Sequence, residues 1–179
     1  MVILKKFLAD LTNLSRFQFA CKYVFPALAI FLTWGALGNF YTLTFSKRKL
    51  IAHNGIVTGM ETRLEIGTTQ YQQIKYYPII ISLNNSSKEF RLRDNFKEYF
   101  IELQNNMQNG DTATVYTRTK FDALVSWGKE GDIYQIEKNG NVLFPLTVVK
   151  AYNSNQALIL SLFALVLWML YAVFRFRKK

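Results

Sequence analysis

Two unbroken apolar stretches lie near the ends of the 179-residue chain, and between them hydrophobic and polar positions alternate. Val24 to Leu43 reads VFPALAIFLTWGALGNFYTL, twenty residues without a charge. As a helix it would be about 30 Å long, which matches the hydrocarbon core of a bilayer. Pro26 falls in its first turn, where a missing N–H costs little, and Tyr23, Trp34 and Tyr41 add aromatic character. The second stretch, Ala157 to Phe174, reads ALILSLFALVLWMLYAVF and runs directly into Arg175-Phe176-Arg177-Lys178-Lys179. A core helix apolar on all sides would need a large soluble domain around it, and the remaining chain is too short to supply one. Ahead of the first stretch, Leu4, Phe7, Leu8, Leu11 and Leu14 recur at helical spacing, with Lys5, Lys6 and Asp10 elsewhere round the wheel. That is the pattern of an interfacial helix lying along the headgroups. A cleaved signal peptide competes with this reading, because Ala36-Leu37-Gly38 has small residues at peptidase spacing, but 22 residues make a long n-region.

In the middle, Ile56, Met60, Leu64 and Ile66 share one parity while Glu61, Arg63 and Glu65 share the other, which predicts a half-buried strand. YYPIIISL (76–83) is rich in β-formers, and Pro78 places it at a sheet edge or a strand start. Asn84-Asn85-Ser86-Ser87 turns it into KEFRLR (88–93), completing a hairpin. Asp94 is placed as an N-cap, with Phe96, Phe100, Leu103 and Met107 following at helical spacing and Asn109-Gly110 as the stop. TATVYTR (112–118) returns to β character, Ala123-Leu124-Val125 precedes Trp127, and Asn139-Gly140 joins IYQIEK to NVLF as a second hairpin. The expectation is a membrane protein in which two transmembrane helices flank a small α+β domain, mostly β, barrel- or sandwich-like, of about six strands with one inserted helix. Its expected segments are an interfacial helix (1–22), a first transmembrane helix (23–45), a β-rich domain (46–150), a second transmembrane helix (151–176) and a basic tail (177–179).

The order of a membrane helix, Gly55-Ile56-Val57, Tyr76-Tyr77-Pro78-Ile79, Gly110-Asp111 with Val115-Tyr116, and a final membrane helix resembles a widespread bacterial membrane-anchored family known as a domain of unknown function. Thr117-Arg118-Thr119-Lys120 stands where many of its members carry an Asp-Pro-x-x-Pro turn. The resemblance implies the helix, β-rich domain, helix architecture and brings no catalytic residues.

Charge changes the picture by its distribution. The chain carries 22 basic and 12 acidic residues, a net +10, and much of the excess flanks the apolar stretches. Lys5, Lys6, Arg16 and Lys22 precede the first, against Asp10 alone, and Arg175, Arg177, Lys178 and Lys179 follow the second. Basic flanks of this kind mark the cytoplasmic side of membrane helices rather than a nucleic-acid footprint. Both termini are therefore expected in the cytoplasm, and the central domain outside a bacterial inner membrane. Lys47-Arg48-Lys49 resists this orientation, since it follows the first stretch on the outer side. Cys21, the one cysteine, has no partner for an intramolecular disulfide and reads as a buried or lipid-facing thiol, with S-acylation as a lesser alternative.

The candidate chemistry is thin. His53 is the one histidine, which removes His-based metal clusters and suits a solvated loop position. Glu61/Glu65 and Asp94/Glu98 read as a solvated strand face and a helix start rather than acid/base dyads, and Gly128-Lys129-Glu130-Gly131 lacks the spacing of a phosphate loop. No catalytic, metal or cofactor residues are expected. No ionisable residue falls inside either apolar stretch, which speaks against a proton or ion relay. Lys88, Phe90, Arg91 and Arg93 with Tyr76 and Tyr77 interleave basic and aromatic character, but interspersed acids argue against nucleic acid. The expected function is a non-enzymatic interaction or accessory protein, its edge formed by Tyr76, Tyr77, Ile79, Arg91 and Arg93. The expected partners are membrane lipid and another membrane or envelope protein, with homo-oligomerisation open. An immunity-type protein that neutralises a toxin is the alternative, and a membrane-bound hydrolase the third reading.

Overall fold

Ser15 opens the first helix with a capping box: its hydroxyl accepts from the Gln18 amide, and the Gln18 side chain accepts from the Ser15 amide, both at 3.3 Å. In the computed structural model, which describes residues 15–68 and 72–176, helix α1 runs from Arg16 to Leu43 with one wide π turn at Ala20–Val24. The helical backbone continues through residue 22, so the described part of the expected interfacial helix is continuous with the apolar stretch. Leu4 to Leu14, like the tail 177–179, lie outside the described residues. The last helix, α4, spans Leu146–Phe176 and so begins earlier than the 151 expected. Both helices are long and apolar enough to cross a membrane, yet only 17% and 11% of their most apolar windows are buried.

The chain divides into two units, residues 1–40 with 153–179, and residues 41–152. Within the first, the two helices pack on one another. Gly35 lies against Leu160, with space for a Cβ only 3.3 Å from its Cδ1, and the Trp168 indole donates to the Thr33 hydroxyl at 3.4 Å.

The second unit is built on antiparallel strands: β1 (Ile51–Thr62), β2 (Glu65–Thr68), β3 (Gln73–Tyr76), β4 (Ile79–Leu83), β5 (Glu89–Leu92), β6 (Thr112–Thr117), β7 (Gln135–Lys138) and β8 (Asn141–Phe144). Six form one sheet in the order β5-β4-β1-β6-β7-β8, and β2 pairs with β3 as a separate ribbon. β1 divides its length between two partners, Ile51–Ile56 lying along β6 and Val57–Thr62 along β4. The division falls at a bulge between Val57 and Gly59, the device by which a sheet turns a corner. The sheet then curls until β5 meets the segment leading into β7. The Arg91 amide donates to Gly131 O at 2.7 Å and the Ile133 amide to Arg91 O at 2.9 Å, so the expected β-rich domain is a mostly antiparallel sheet curled into a barrel-like wall. Ile79, Ile81, Phe90, Leu92, Val115 and Ile136 fill its interior.

Several expectations need correction. The strand containing Ile79 is not an edge: β4 lies between β1 and β5, and Ile79 pairs with Thr62 on one side and Leu92 on the other. Pro78 sits just ahead of the strand, where its missing N–H falls outside the ladder and its carbonyl accepts from the Arg63 amide at 3.1 Å. The 56–66 alternation is broken by the bulge and by residues 63–64, so Val57 is buried while Ile56, Leu64 and Ile66 are exposed. Asp94 does not cap a helix. Arg93 holds the extended cap position, a 3-10 turn covers Asp94–Tyr99, and the regular helix α2 is only Phe100–Asn106. Phe96, Leu103 and Met107 are buried from it, with Phe100 half-buried. The apolar piece Ala123-Leu124-Val125, to which the sequence pattern assigns no element, belongs to a short helix, α3 (Lys120–Val125). Both hairpins stand where expected, and Asn139 and Gly140 take the left-handed conformations that a tight two-residue turn requires (φ 50° and 82°).

Candidate functional site

Alternation along β5 sends Phe90 and Leu92 into the core and leaves Arg91 and Arg93 facing outward. Arg91 is fixed by two carboxylates. Its Nε and Nη2 donate to Asp132 Oδ1 at 3.0 and 2.8 Å, and its Nη1 donates to Glu65 Oε2 at 2.7 Å. Asp132 is buried beneath, and its Oδ2 accepts the Lys129 amide at 3.0 Å and lies 3.9 Å from Arg93 Nε. The Arg93 guanidinium also stands over the Phe96 ring, 5.5 Å from its centre.

Above this network lies a cleft of about 300 Å³ between the β2–β3 ribbon and the barrel wall, lined by Tyr76, Arg91, Arg93, Glu65, Asn95 and Lys129 among others. Gly67 makes room for the Tyr76 ring: a Cβ there would lie 2.8 Å from Tyr76 Cε2. Three of the five expected residues therefore meet in one cleft. Tyr77 lines a neighbouring hollow with Asp94 and Phe100. Ile79 is buried and takes no part. Glu65 and Lys129 stand out in the sequence only as a solvated strand face and as part of a segment without phosphate-loop spacing, and Asp132 does not stand out at all; its only signal is position, following Gly131 just before a strand.

The ribbon itself is unusual. Among the described residues β2 and β3 pair only with each other, and apolar side chains stand exposed along it: Leu64, Ile66, Ile74, Tyr76 and Tyr77. An isolated two-stranded ribbon is marginal in water.

A second polar centre surrounds Arg118, which is 3% exposed. No carboxylate lies within ion-pair distance among the described residues; the guanidinium stacks on Tyr134 at 3.9 Å and stands 5.2 Å from the Phe45 ring centre, while Nη1 donates to the Ser126 hydroxyl. Burial, assisted by the neighbouring positive charge of Arg93, pushes its pKa down to about 9.

His53 lies in β1 rather than in a loop. Its Nε2 is 3.0 Å from Thr117 Oγ1, its ring centre is 4.7 Å from that of Phe90, and burial followed by the charge of Lys88 lowers its pKa. Glu61 accepts from Arg63, and Glu65 from Arg91. Among the described residues no group of three or more His, Cys, Asp or Glu side chains is placed to hold a metal ion. Compared with family models, with curated proteins and with solved structures, the chain matches none.

Proposed function

We propose that the protein is a membrane-anchored, non-enzymatic interaction module whose ribbon and adjoining cleft receive an extended segment of another membrane or envelope protein. The observation that carries this reading is the β2–β3 ribbon, with exposed apolar side chains and paired with no third strand among the described residues, beside a cleft with Arg91, Arg93 and Lys129 on its wall. A partner strand can add to a free ribbon edge through main-chain hydrogen bonds, with side-chain pockets giving specificity. Here the arginines and Lys129 favour a partner segment carrying acidic residues.

Recovery of the partner from native membranes tests it. Ile74→Asp combined with Tyr76→Asp should reduce recovery about 30-fold, the equivalent of one interface hot spot of about 2 kcal/mol. Both side chains are exposed, so the thermal midpoint should stay unchanged. Undiminished recovery with the folded double variant would reject the ribbon as the recognition surface.

In the same reading α1 and α4 are transmembrane helices of a bacterial inner membrane. Their outward faces carry Leu28, Phe31, Trp34, Leu162, Phe163 and Val166, which lipid would cover. Arg175, Arg177, Lys178 and Lys179 favour cytoplasmic termini and an extracytoplasmic central domain. A reporter fused after Lys179 should be active in the cytoplasm and one inserted at Asn85 outside it, and the reverse pattern would refute this orientation.

A further inference from the structure

The turn Lys47–Lys49 and the short helix α3 have no place in the ribbon and cleft, yet the turn directly follows the end of α1 and α3 is hydrogen-bonded to that end. The last turn of α1 belongs to the same unit as the barrel, and Tyr41 in that turn donates its hydroxyl to Asp122 Oδ1 of α3 at 2.8 Å. Phe45, just beyond the helix, meets the Tyr41 ring edge-on at 5.1 Å. Arg118 then reaches from over Phe45 to Ser126 at the end of α3. These contacts tie α3 to the last turn of α1.

What α3 presents there is apolar. Phe121 and Leu124, one turn apart, are 69% and 77% exposed, and Trp127 is 52% exposed. Ala123, on the other side of the helix, is buried. Trp127 also sits in an unfavourable backbone position. The helix closes with a Schellman pattern, Gly128 N–H to Ala123 O at 2.8 Å and Trp127 N–H to Leu124 O at 3.4 Å, which puts Trp127 at φ 60°, where glycine is preferred. A bulky aromatic in the left-handed region is strained, and such strain persists at sites where the side chain has a task. Arg48 and Lys49, just beyond the end of α1, are exposed, while Lys120 at the start of α3 lies 3.5 Å from the Glu130 carboxylate. Apolar and aromatic side chains tied to the end of a membrane-length helix, with an arginine and a lysine just beyond that end, match the composition of a headgroup layer.

We propose that α3 and the Lys47–Lys49 turn form a foot on the bilayer surface, with Phe121, Leu124 and Trp127 in the boundary between headgroups and acyl chains and Arg48 and Lys49 against anionic headgroups. The proposal rests on the reading of α1 as a membrane span. It also gives two charges of the cluster that contradicts the positive-inside pattern, Arg48 and Lys49, a role on the outer side: they bind lipid locally and do not set topology, while Lys47 pairs with Glu137 at 2.6 Å.

The three tryptophans, Trp34, Trp127 and Trp168, make the test direct. The full chain carrying Trp34→Phe and Trp168→Phe is reconstituted in phosphatidylcholine vesicles, with and without phosphatidylglycerol, containing lipids brominated either near the carbonyl end or deep in the acyl chain. Trp127 emission should be lost to the shallow bromines more than to the deep ones, and more strongly when phosphatidylglycerol is present. Phe121→Ser with Leu124→Ser in that background should remove the quenching without lowering the thermal midpoint, since both side chains are exposed. Arg48→Gln with Lys49→Gln should remove only the gain from phosphatidylglycerol. A second background, Trp127→Phe with Trp168→Phe, leaves Trp34 to report on the span, and deep bromines should quench it. Quenching of Trp34 without quenching of Trp127 would overturn the foot and leave the span standing. Absence of quenching at both would overturn both readings.

Discussion

Asp132→Ala is expected to destabilise the central domain by about 3–5 kcal/mol, the usual effect of removing one partner from a buried ion pair. Its carboxylate is buried under two guanidinium groups, receiving two hydrogen bonds from Arg91 and lying 3.9 Å from Arg93 Nε. The Arg91 and Arg93 side chains are only 17% and 23% exposed, so neither can turn fully to water when its counter-charge is lost. The Lys129 amide would lose its acceptor too. Asp132→Asn keeps the shape without the charge and should fall between alanine and wild type. The contrast is Arg63, which bridges Glu61 and Glu89 at the surface, all three side chains being well exposed. Arg63→Ala should leave the stability almost unchanged, because water already screens the exposed pairs. Denaturant unfolding of the purified full chain, followed by near-ultraviolet circular dichroism, measures both. Equal losses for Asp132→Ala and Arg63→Ala would mean that the buried carboxylate does not organise the cleft.

Much of this domain could be read from the sequence because its short-range signals are strong. Asn139-Gly140 between β-prone flanks and the Asn84–Ser87 turn specify their hairpins locally, and both formed. The two apolar helices follow from length and lack of charge alone. What failed depends on contacts between distant segments. Pro78 was compatible with an edge or a strand start, and only the placement of β5 and β1 on either side of Ile79 decides between them. Nothing local to residues 56–66 announces that β1 changes partner midway, and a one-residue bulge is enough to put Val57 inside and Ile56 outside. The cleft was half legible for the same reason. Tyr76, Arg91 and Arg93 stood out by type, but the carboxylate that organises two of them comes from 41 residues after Arg91. Arg118 could not have been recognised as buried, because its surroundings, Phe45 and Tyr134, come from opposite ends of the domain.

Closure of the barrel depends on one glycine, and substituting it should have the other large effect. Gly131 has φ 128°, a conformation that side-chain-bearing residues rarely adopt, and a Cβ there would lie 2.8 Å from the Glu89 carbonyl oxygen. That oxygen belongs to the backbone of β5 and cannot swing aside. The neighbouring hydrogen bond, from the Arg91 amide to Gly131 O at 2.7 Å, helps hold β5 to the segment entering β7. Gly131→Val combines about 1–3 kcal/mol of backbone strain with separation of the closing strands, so a loss of about 3 kcal/mol or more is expected. Gly110 and Gly140 supply the control. Their φ values are also positive, 95° and 82°, but a Cβ at either meets nothing within 4 Å. Alanine at those sites should cost only about 1 kcal/mol, from conformation alone. Hydrogen exchange adds a local readout: in Gly131→Val the Arg91 and Ile133 amides should lose protection while Val115 and Ile136, deep in the barrel, keep theirs. If Gly131→Val is no worse than Gly110→Ala and both closing amides stay protected, the approach of β5 to residue 131 does not close the barrel.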